Sequence, residues 1–403
     1  MKTLSFSFFF TLCSFISFSQ GVWTQKASFG GGVRVAAIGF AIGDKGYIGT
    51  GSNGSVQQDL WQWNQATNTW TQKSNLTGVA RSVAISFSID DKGYIGTGNT
   101  NTSALQDFWE YDTLLNSWTQ KATFPGVARV CAVSFSINHK GYIATGSSKT
   151  TPQQFYQDFW EYDQLTNVWS QKSSFPGLSR DYAVAFSIGQ KGYLGTGRGS
   201  SYFLRNDFWE YDQVTDAWTQ KANFGGTARA LAVGFSIGSK GYIGTGCDST
   251  STVKKDFWEY NPNNNTWTQQ ADLTGVARLC AVGFSILGKG YIGTGKDNSI
   301  NLYLDFWEWI PSGVGIPEPS TKLEYTLYPN PMSESVTLEI ADGGLPIADL
   351  NFELYDLQSK RVYQSEINNP KFAIQRGNLS AGTYIYTITN ENKVLASGKL
   401  IIQ

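Results

Sequence analysis

Ionisable side chains that recur at a fixed spacing are the first candidates for chemistry in this sequence. Six arginines stand 47–51 residues apart, and an aspartate follows each of them 25–29 residues later. One hypothesis is a ring of cations that binds an anion, and the other is a set of structural ion pairs. We favour the pairs, because a half-buried arginine costs several kcal/mol unless it is partnered. The residues are Arg34, Arg81, Arg129, Arg180, Arg229 and Arg278, with Asp59, Asp107, Asp158, Asp207, Asp256 and Asp305.

Glutamates that could act as general acids or bases also recur once per unit. They occupy the same position in five units, and Gln62 takes that position in the first unit. A role repeated in every unit is typical of a scaffold, so we predict no catalytic residue. The five glutamates are Glu110, Glu161, Glu210, Glu259 and Glu308.

His139 is the only histidine, and the sequence around it, Asn138-His139-Lys140-Gly141, indicates a hairpin turn. A metal site needs several convergent ligands. A Ser-His-Asp site needs a histidine beside its nucleophile. The sequence therefore predicts no metal site and no cofactor.

The elements that must position these residues follow from a repeat that extends from residue 21 to about residue 310. Each unit has an apolar strand after its arginine, then Lys-Gly-Tyr-Ile-Gly-Thr-Gly, Asp-Phe-Trp-Glu-Tyr and Thr-Trp-Thr-Gln, as in residues 229–269. Four short strands per unit are the signature of a propeller blade. Small residues alternate with bulky ones in the first strand, which suits the crowded innermost position. The sequence predicts an all-β, six-bladed β-propeller with the arginines at the mouth of its channel.

The two ends of the repeat complement each other. Residues 22–25 read as a fourth strand that lacks the preceding three, and residues 305–309 read as a third strand without a fourth. We expect residues 22–26 to complete the sixth blade, with Trp23 facing Trp309. Such closure would remove the exposed sheet edges of an open array.

The repeat resembles the kelch family, whose blades carry a tyrosine, six further residues and a tryptophan. The matching pairs are Tyr111/Trp118, Tyr162/Trp169, Tyr211/Trp218 and Tyr260/Trp267, with Trp63/Trp70 in the first blade. The resemblance implies a fold like the central domain of galactose oxidase. This fold hosts binders and enzymes alike. Copper oxidases among its relatives use histidine ligands that this chain lacks.

Length varies in only one part of the repeat, the loop between the second and third strands. Loops on a rigid scaffold are where binding usually evolves, and aromatic residues with arginine suit sugar or peptide contacts. Unconstrained drift of these loops is the alternative, and one sequence leaves it open. The candidate binding residues are Phe155, Tyr156, Tyr202, Phe203, Arg205 and Tyr303.

The two termini have their own signatures. Residues 1–19 read as a signal peptide, with Lys2 ahead of an apolar run. Residues 311–322 have the composition of a linker. Residues 323–403 alternate as strands and suggest a small immunoglobulin-like β-sandwich. Their motifs, Tyr328-Pro-Asn-Pro, Leu354-Tyr-Asp-Leu, Leu379-Ser-Ala-Gly-Thr-Tyr and the terminal Gly398-Lys-Leu-Ile-Ile-Gln, resemble the C-terminal sorting domain of type IX secretion in Bacteroidota. That resemblance implies export through the periplasm and across the outer membrane by the type IX machinery.

Together these features predict a secreted or cell-surface protein that binds a glycan or a protein without catalysis. The alternative is a kelch-class sugar enzyme, such as a sialic-acid mutarotase or epimerase-like protein acting at the channel mouth. The one break in the repeat that favours an enzyme is Arg180-Asp181-Tyr182, because Asp181 and Tyr182 replace small or apolar residues. The formal net charge is −1, and no basic patch suggests nucleic acid. We expect a monomer.

Overall fold

The computed structural model describes residues 21–312, 325–340, 350–356, 361–367, 369–390 and 393–403. These residues form two compact units, divided between residues 312 and 313. The predicted signal peptide and residues 313–322 of the predicted linker lie outside the described residues. In the described ranges the regular structure is β, apart from one 3₁₀ turn at Ser200–Tyr202. No helix in these ranges is long and apolar enough to span a bilayer.

The first unit contains six four-stranded antiparallel sheets. Their first strands are β2 (Ile38–Ile42), β6 (Ile85–Ile89), β10 (Val133–Ile137), β14 (Val184–Ile188), β19 (Val233–Ile237) and β24 (Val282–Ile286). Their second strands are β3 (Lys45–Gly49), β7 (Lys92–Gly96), β11 (Lys140–Ala144), β15 (Lys191–Gly195), β20 (Lys240–Gly244) and β25 (Lys289–Gly293).

The remaining strands of these sheets follow in the same order. The third strands are β4 (Leu60–Asn64), β8 (Phe108–Asp112), β12 (Phe159–Asp163), β16 (Phe208–Asp212), β22 (Phe257–Asn261) and β26 (Phe306–Ile310). The fourth strands are β5 (Thr69–Lys73), β9 (Ser117–Gln120), β13 (Val168–Lys172), β17 (Ala217–Lys221), β23 (Thr266–Gln270) and β1 (Val22–Lys26). Two short strands, β18 (Arg229–Ala230) and β21 (Cys247–Asp248), pair beside the fifth sheet.

Alternation of side chains in the first strands builds the core between adjacent sheets. In β10 the side chains of Val133, Phe135 and Ile137 are buried, while the serines between them are half-buried. Phe135 packs in one cluster with Leu194 of the next sheet. A Cβ on Gly192 would overlap the Phe135 ring. Glycine is therefore the second residue of each second strand, because the preceding sheet's phenylalanine occupies the space of a side chain.

The sixth sheet is assembled from both ends of the repeat. Its strand order is β1-β26-β25-β24, and β1 pairs antiparallel with β26 so that Trp23 lies opposite Trp309. The two indole centroids are 5.1 Å apart. The Trp23 Nε1–H donates to the Ala271 carbonyl oxygen at 3.0 Å. Residues before the first sheet thus supply the fourth strand of the last one.

The first strands contact one another in sequence, and β24 contacts β2. Just before each first strand, a backbone N–H donates to the carbonyl of its counterpart in the preceding repeat, and the first repeat donates to the sixth, at 3.0–3.2 Å. We call these six residues the axial ring: Ala36, Val83, Cys131, Tyr182, Leu231 and Cys280.

The axial ring also explains where the first strands begin. The sequence suggested a continuous apolar strand over residues 229–237, but the fifth sheet's first strand starts at Val233. Leu231 has φ = +62°, and all six ring residues have φ between +49° and +62°. This left-handed conformation is uncommon outside glycine, and it turns the chain so that its amide points to the neighbouring repeat.

The second unit consists of two sheets around one apolar core. One sheet has the order β27-β28-β31 and the other β30-β29-β32-β33. Both contribute to the core, with Leu338 from the first and Phe352 from the second. The strands are β27 (Tyr325–Tyr328), β28 (Ser335–Ile340), β29 (Leu350–Tyr355), β30 (Arg361–Ile367), β31 (Lys371–Gln375), β32 (Gly382–Asn390) and β33 (Lys393–Ile402).

Candidate functional site

Each repeat arginine is buried and bound to the aspartate that precedes the third strand. In the fifth repeat, the Arg229 guanidinium donates to both Asp256 carboxylate oxygens, at 2.6 and 2.7 Å. It also donates to the backbone carbonyls of Thr245 and Thr227. The indole of Trp258 donates to the same carboxylate. Equivalent salt bridges occur in all six repeats, so the pairing predicted from the sequence is present.

Burial and pairing remove the arginines from any ligand. Their exposed fractions are 0–1 %. Burial alone would raise the pKa of Asp256, but hydrogen bonds from Arg229 and its charge outweigh burial and hold that pKa below its ordinary value. Asp107, Asp158, Asp207 and Asp305 have pKa values lowered by the same balance. The six arginines tie the first strands to the third, and their guanidiniums offer no open surface to an anion.

A cavity of about 190 Å³ is lined by residues two and three positions after the arginines. These are the axial ring and the alanines that follow it. The predicted channel-mouth ring of Arg34, Arg81, Arg129, Arg180, Arg229 and Arg278 does not line this cavity. The side chains that line this cavity are therefore mostly apolar, with Tyr182 as the largest of them.

The recurring glutamates bond to tyrosines of the second strands. The Tyr142 hydroxyl donates to Glu161 at 2.6 Å, and the Lys140 ammonium donates to the other carboxylate oxygen. Burial raises the pKa of Tyr142, and the hydrogen bond to Glu161 adds to the rise. In the first repeat the direction is reversed, and the Gln62 amide donates to the Tyr47 hydroxyl. These bonds join the second strand to the third in each sheet, which is a structural role.

His139 lies on an exposed turn, with its Nδ1 2.9 Å from an Asp90 carboxylate oxygen. Within the described residues no cluster of three or more histidine, cysteine, aspartate or glutamate side chains could hold a metal ion. The single histidine thus pairs with an aspartate on the corresponding hairpin turn of the preceding repeat.

We refer to the loops between the second and third strands together as the loop face. Each buried arginine bonds to the threonine carbonyl where its loop begins, as Arg129 does to Thr145. The loops comprise residues 50–59, 97–107, 145–158, 196–207, 245–256 and 294–305.

The structure divides the six candidate binding residues into two groups. Tyr156 and Tyr303 stack on buried arginines of the scaffold, with ring centroids 4.5 and 5.0 Å from the guanidinium carbons of Arg129 and Arg278. Phe155 and Arg205 are also half-buried. In contrast, Tyr202 is 70 % exposed and Phe203 is 67 % exposed. Four candidates shape the loops, and two project from them.

An ion pair that sequence reasoning missed joins the break in the repeat to the loop face. Asp181 is fully buried and accepts two hydrogen bonds from Arg198, at 2.7 and 3.0 Å. The Ser147 hydroxyl donates to it at 2.9 Å. The Gln153 amide bonds to that hydroxyl at 2.8 Å. Residues of the third and fourth repeats therefore hold one buried carboxylate.

The Arg198 guanidinium also lies between two aromatic rings. Its carbon is 5.1 Å from the Tyr182 centroid and 4.9 Å from the Tyr202 centroid. Cation–π contacts of this kind stabilise both the cation and the orientation of the rings. We call this group the Asp181 cluster: Ser147, Gln153, Asp181, Tyr182, Arg198 and Tyr202.

A signal for Arg198 exists in the sequence. It occupies the position directly after Gly-Thr-Gly, where the other repeats have Ser52, Asn99, Ser147, Cys247 and Lys296. In every repeat this position bridges to the residue after the buried arginine, as Arg198 does to Asp181. Comparing the two positions together would have paired the unique aspartate with the unique arginine.

Beside the Asp181 cluster, a cleft of about 630 Å³ opens between the loops of the second, third and fourth repeats. Tyr182 and Tyr202 both line it. The one charged lining residue is Lys149, whose ammonium donates to the carbonyls of Thr100 and Asn101. The hydroxyl and amide side chains in its wall are Ser82, Asn99, Ser148, Thr150, Thr151 and Gln153.

Comparisons with known proteins identify the second unit and the fold of the first. Residues 326–403 match a family described as "Secretion system C-terminal sorting domain". The match indicates export by type IX secretion, interaction with that machinery, and a secreted or cell-surface location. The solved structure of YjhT is similar over 70 % of this chain and 95 % of its own, with a TM-score of 0.62 and 17 % identity. At that identity the likeness concerns the fold alone. No curated protein matches the chain.

Proposed function

We propose that this protein is a non-enzymatic binding module that presents its loop face to a glycan or protein ligand outside the cell. Its scaffold is a closed, six-bladed kelch-type propeller at residues 20–310. Residues 323–403 form the sorting domain, joined by a linker at 311–322. The module acts as a monomer without a cofactor.

Two independent contacts support a closed ring. The axial ring makes a complete cycle of six backbone hydrogen bonds, in which Ala36 of the first repeat donates to Cys280 of the sixth. On the outside, β1 pairs with β26 over five residues. A closed ring leaves no free sheet edge between its first and last blades, and it fixes the loop face as a rigid platform for binding.

The observation that carries the binding proposal is the asymmetry of the loop face. The scaffold contacts repeat in every sheet, whereas the Asp181 cluster and its cleft occur beside one part of the ring. A concave site with a few convergent polar groups is the usual form of a ligand site. Of the six candidate binding residues, Tyr202 is the one that lines this cleft.

The polar groups of the cleft favour binding over catalysis. No carboxylate is among the described residues that line it. The nearest, Asp181, has no exposed surface and is held by Arg198. General acid–base catalysis needs a proton-transferring group within reach of the substrate, and Asp181 would have to leave its partners to provide one.

A two-part experiment tests the proposal. The purified full chain is screened against glycans and against extracellular proteins, and the Gln153→Ala/Tyr202→Ala variant is compared with Leu114→Ala, whose side chain is exposed on a turn after β8. We expect the loop-face variant alone to lose binding.

The second part concerns catalysis by the alternative sugar enzyme. Free sugars are incubated with the protein and followed by NMR for anomer exchange or epimerisation. Conversion by the wild type that Asp181→Asn abolishes would refute the non-enzymatic proposal. Unchanged sugars in both samples are the expected result.

A further inference from the structure

We infer that the cleft beside Tyr202 binds a neutral oligosaccharide, with one sugar ring packed against the Tyr202 side chain. This inference rests on the proposed binding function and names the ligand class of the same site.

The size of the cleft favours a small ligand over a protein partner. Its volume of about 630 Å³ falls within the roughly 300–1,000 Å³ of small-molecule sites. A stable protein partner would instead cover about 800 Å² on a broad face. A concave site of this volume favours a ligand of a few linked rings.

The wall of the cleft supplies groups that both donate and accept hydrogen bonds. Hydroxyl and amide side chains have this double capacity, and sugar hydroxyls have it too. The Ser82 hydroxyl lies 3.0 Å from the Asn99 amide oxygen, so the Asn99 amide nitrogen keeps its two protons for another acceptor. The Ser148 and Thr150 hydroxyls bond to each other at 2.7 Å. Thr150 also donates to the Pro152 carbonyl and Ser148 accepts from the Gln154 N–H, so each oxygen keeps one lone pair for a ligand donor. The second and third repeats thus present side chains that can bond to sugar hydroxyls.

The charges around the cleft favour a neutral ligand. The Arg198 guanidinium is neutralised by Asp181 at 2.7 Å. The Lys149 ammonium is turned toward two backbone carbonyls, at 2.9 and 3.2 Å. An acidic ligand would therefore find the Arg198 charge compensated by Asp181 and two of the three Lys149 N–H donors in use, and the lining offers no carboxylate to attract a basic ligand. Recruiting Arg198 would break the hydrogen bonds that it makes to Asp181 in the free protein.

Tyr202 provides the aromatic surface. It is 70 % exposed, lines the cleft, and is oriented by the Arg198 guanidinium over its ring. The C–H face of a sugar ring is apolar and packs against aromatic carbon, as apolar lining does in small-ligand sites. Phe203, the next residue, is nearly as exposed but does not line the cleft. Phe203 is therefore a matched control for substitution of Tyr202.

The test applies the purified full chain to an array of neutral and acidic oligosaccharides and measures the strongest neutral binder by isothermal titration calorimetry. We expect Tyr202→Ala to weaken that binding roughly tenfold or more, as for a central aromatic contact. Phe203→Ala should change it by about twofold or less. Both side chains are exposed, so circular dichroism should show both variants folded.

Three results would overturn the inference. These are no neutral binder on the array, binding of acidic oligosaccharides alone, or neutral binding that Tyr202→Ala leaves unchanged. If the loop face then still binds a protein, the proposed function stands and only the ligand class is wrong. Loss of all loop-face binding, or turnover of a sugar, would remove the proposed function itself.

Discussion

Replacing one of the half-buried aspartates tests how strongly the scaffold depends on its arginine pairs. Arg229 is fully buried, and Asp256 accepts two of its hydrogen bonds. The Asp256→Ala substitution leaves the guanidinium bonded only to neutral oxygens, including the Thr245 carbonyl. It also removes the acceptor of the Trp258 indole N–H. Two consequences follow together: a buried cation loses its counter-charge, and a neighbouring donor loses its acceptor.

The expected magnitude is large because the Arg229 side chain is fully buried. Removing one partner of a buried pair destabilises a protein by about 3–5 kcal/mol. Asp44 and Lys45 form an ion pair in which Asp44 is 54 % exposed, and Asp44→Ala should cost less than about 1 kcal/mol. Combining Asp256→Ala with Arg229→Leu should recover part of the loss, because no unpaired charge then remains buried.

Urea denaturation followed by tryptophan fluorescence measures these differences. All 14 tryptophans lie between residues 23 and 309, so the signal reports the first unit alone. If Asp256→Ala lowers the free energy of unfolding no more than Asp44→Ala does, the ion pair is not what stabilises the buried arginine. A double variant that is less stable than Asp256→Ala would also contradict the reasoning.

Three further predictions concern the pairing of β1 with the sixth sheet, acid unfolding and the Cys131 thiol. Trp23→Ala should lower the free energy of unfolding by about 3–5 kcal/mol, because the indole packs between Trp309 and Phe257. Val22→Ala, at a 60 % exposed position, should change the free energy of unfolding by about 0.5 kcal/mol or less. Equal effects of the two substitutions would contradict the role of β1 as the fourth strand of the sixth sheet. The pKa of Asp256 is lowered in the folded protein, so its pairing stabilises the fold fully above the unfolded pKa of about 3.9, and this stabilisation is lost as pH falls through the lower folded pKa. Tryptophan fluorescence should therefore report acid unfolding below about pH 4. Loss of stability between pH 7 and 5 would be inconsistent with this role of the pairing. Burial raises the pKa of the Cys131 thiol well above its usual value. Iodoacetamide at pH 8 should therefore label Cys131 only after denaturation, as measured by peptide mass spectrometry. Rapid labelling of the native protein would contradict the burial of Cys131.

The position of the strands could be predicted because the repeat fixes their register. From each arginine to the last glycine of Gly-Thr-Gly is a constant 17 residues, so period-two patterns align across all six copies. The pairing of the arginines with the aspartates follows from physics as well, since an arginine flanked by apolar strand residues must find a carboxylate. The pairing of Trp23 with Trp309 was expected from the incomplete ends of the repeat, and the two rings lie in contact.

The details of the loop face could not be predicted in the same way. The left-handed turn at Tyr182 places its ring near Arg198, but no residue type in the axial ring signals positive φ. Tyr156 and Tyr303 were expected among the binding residues, yet they stack on buried arginines. Their partial burial depends on a tertiary contact with the arginine of the same repeat, and the composition of the loops does not predict that contact.

Hydrogen–deuterium exchange of the full chain, with and without its tightest array ligand, tests most directly whether the loop face is the binding surface. We predict that bound ligand slows exchange in residues 99–104, 147–156 and 198–205 and leaves the turns at 112–117 and 163–168 unchanged. Slower exchange at those turns, with the three loop segments unaffected, would contradict the account.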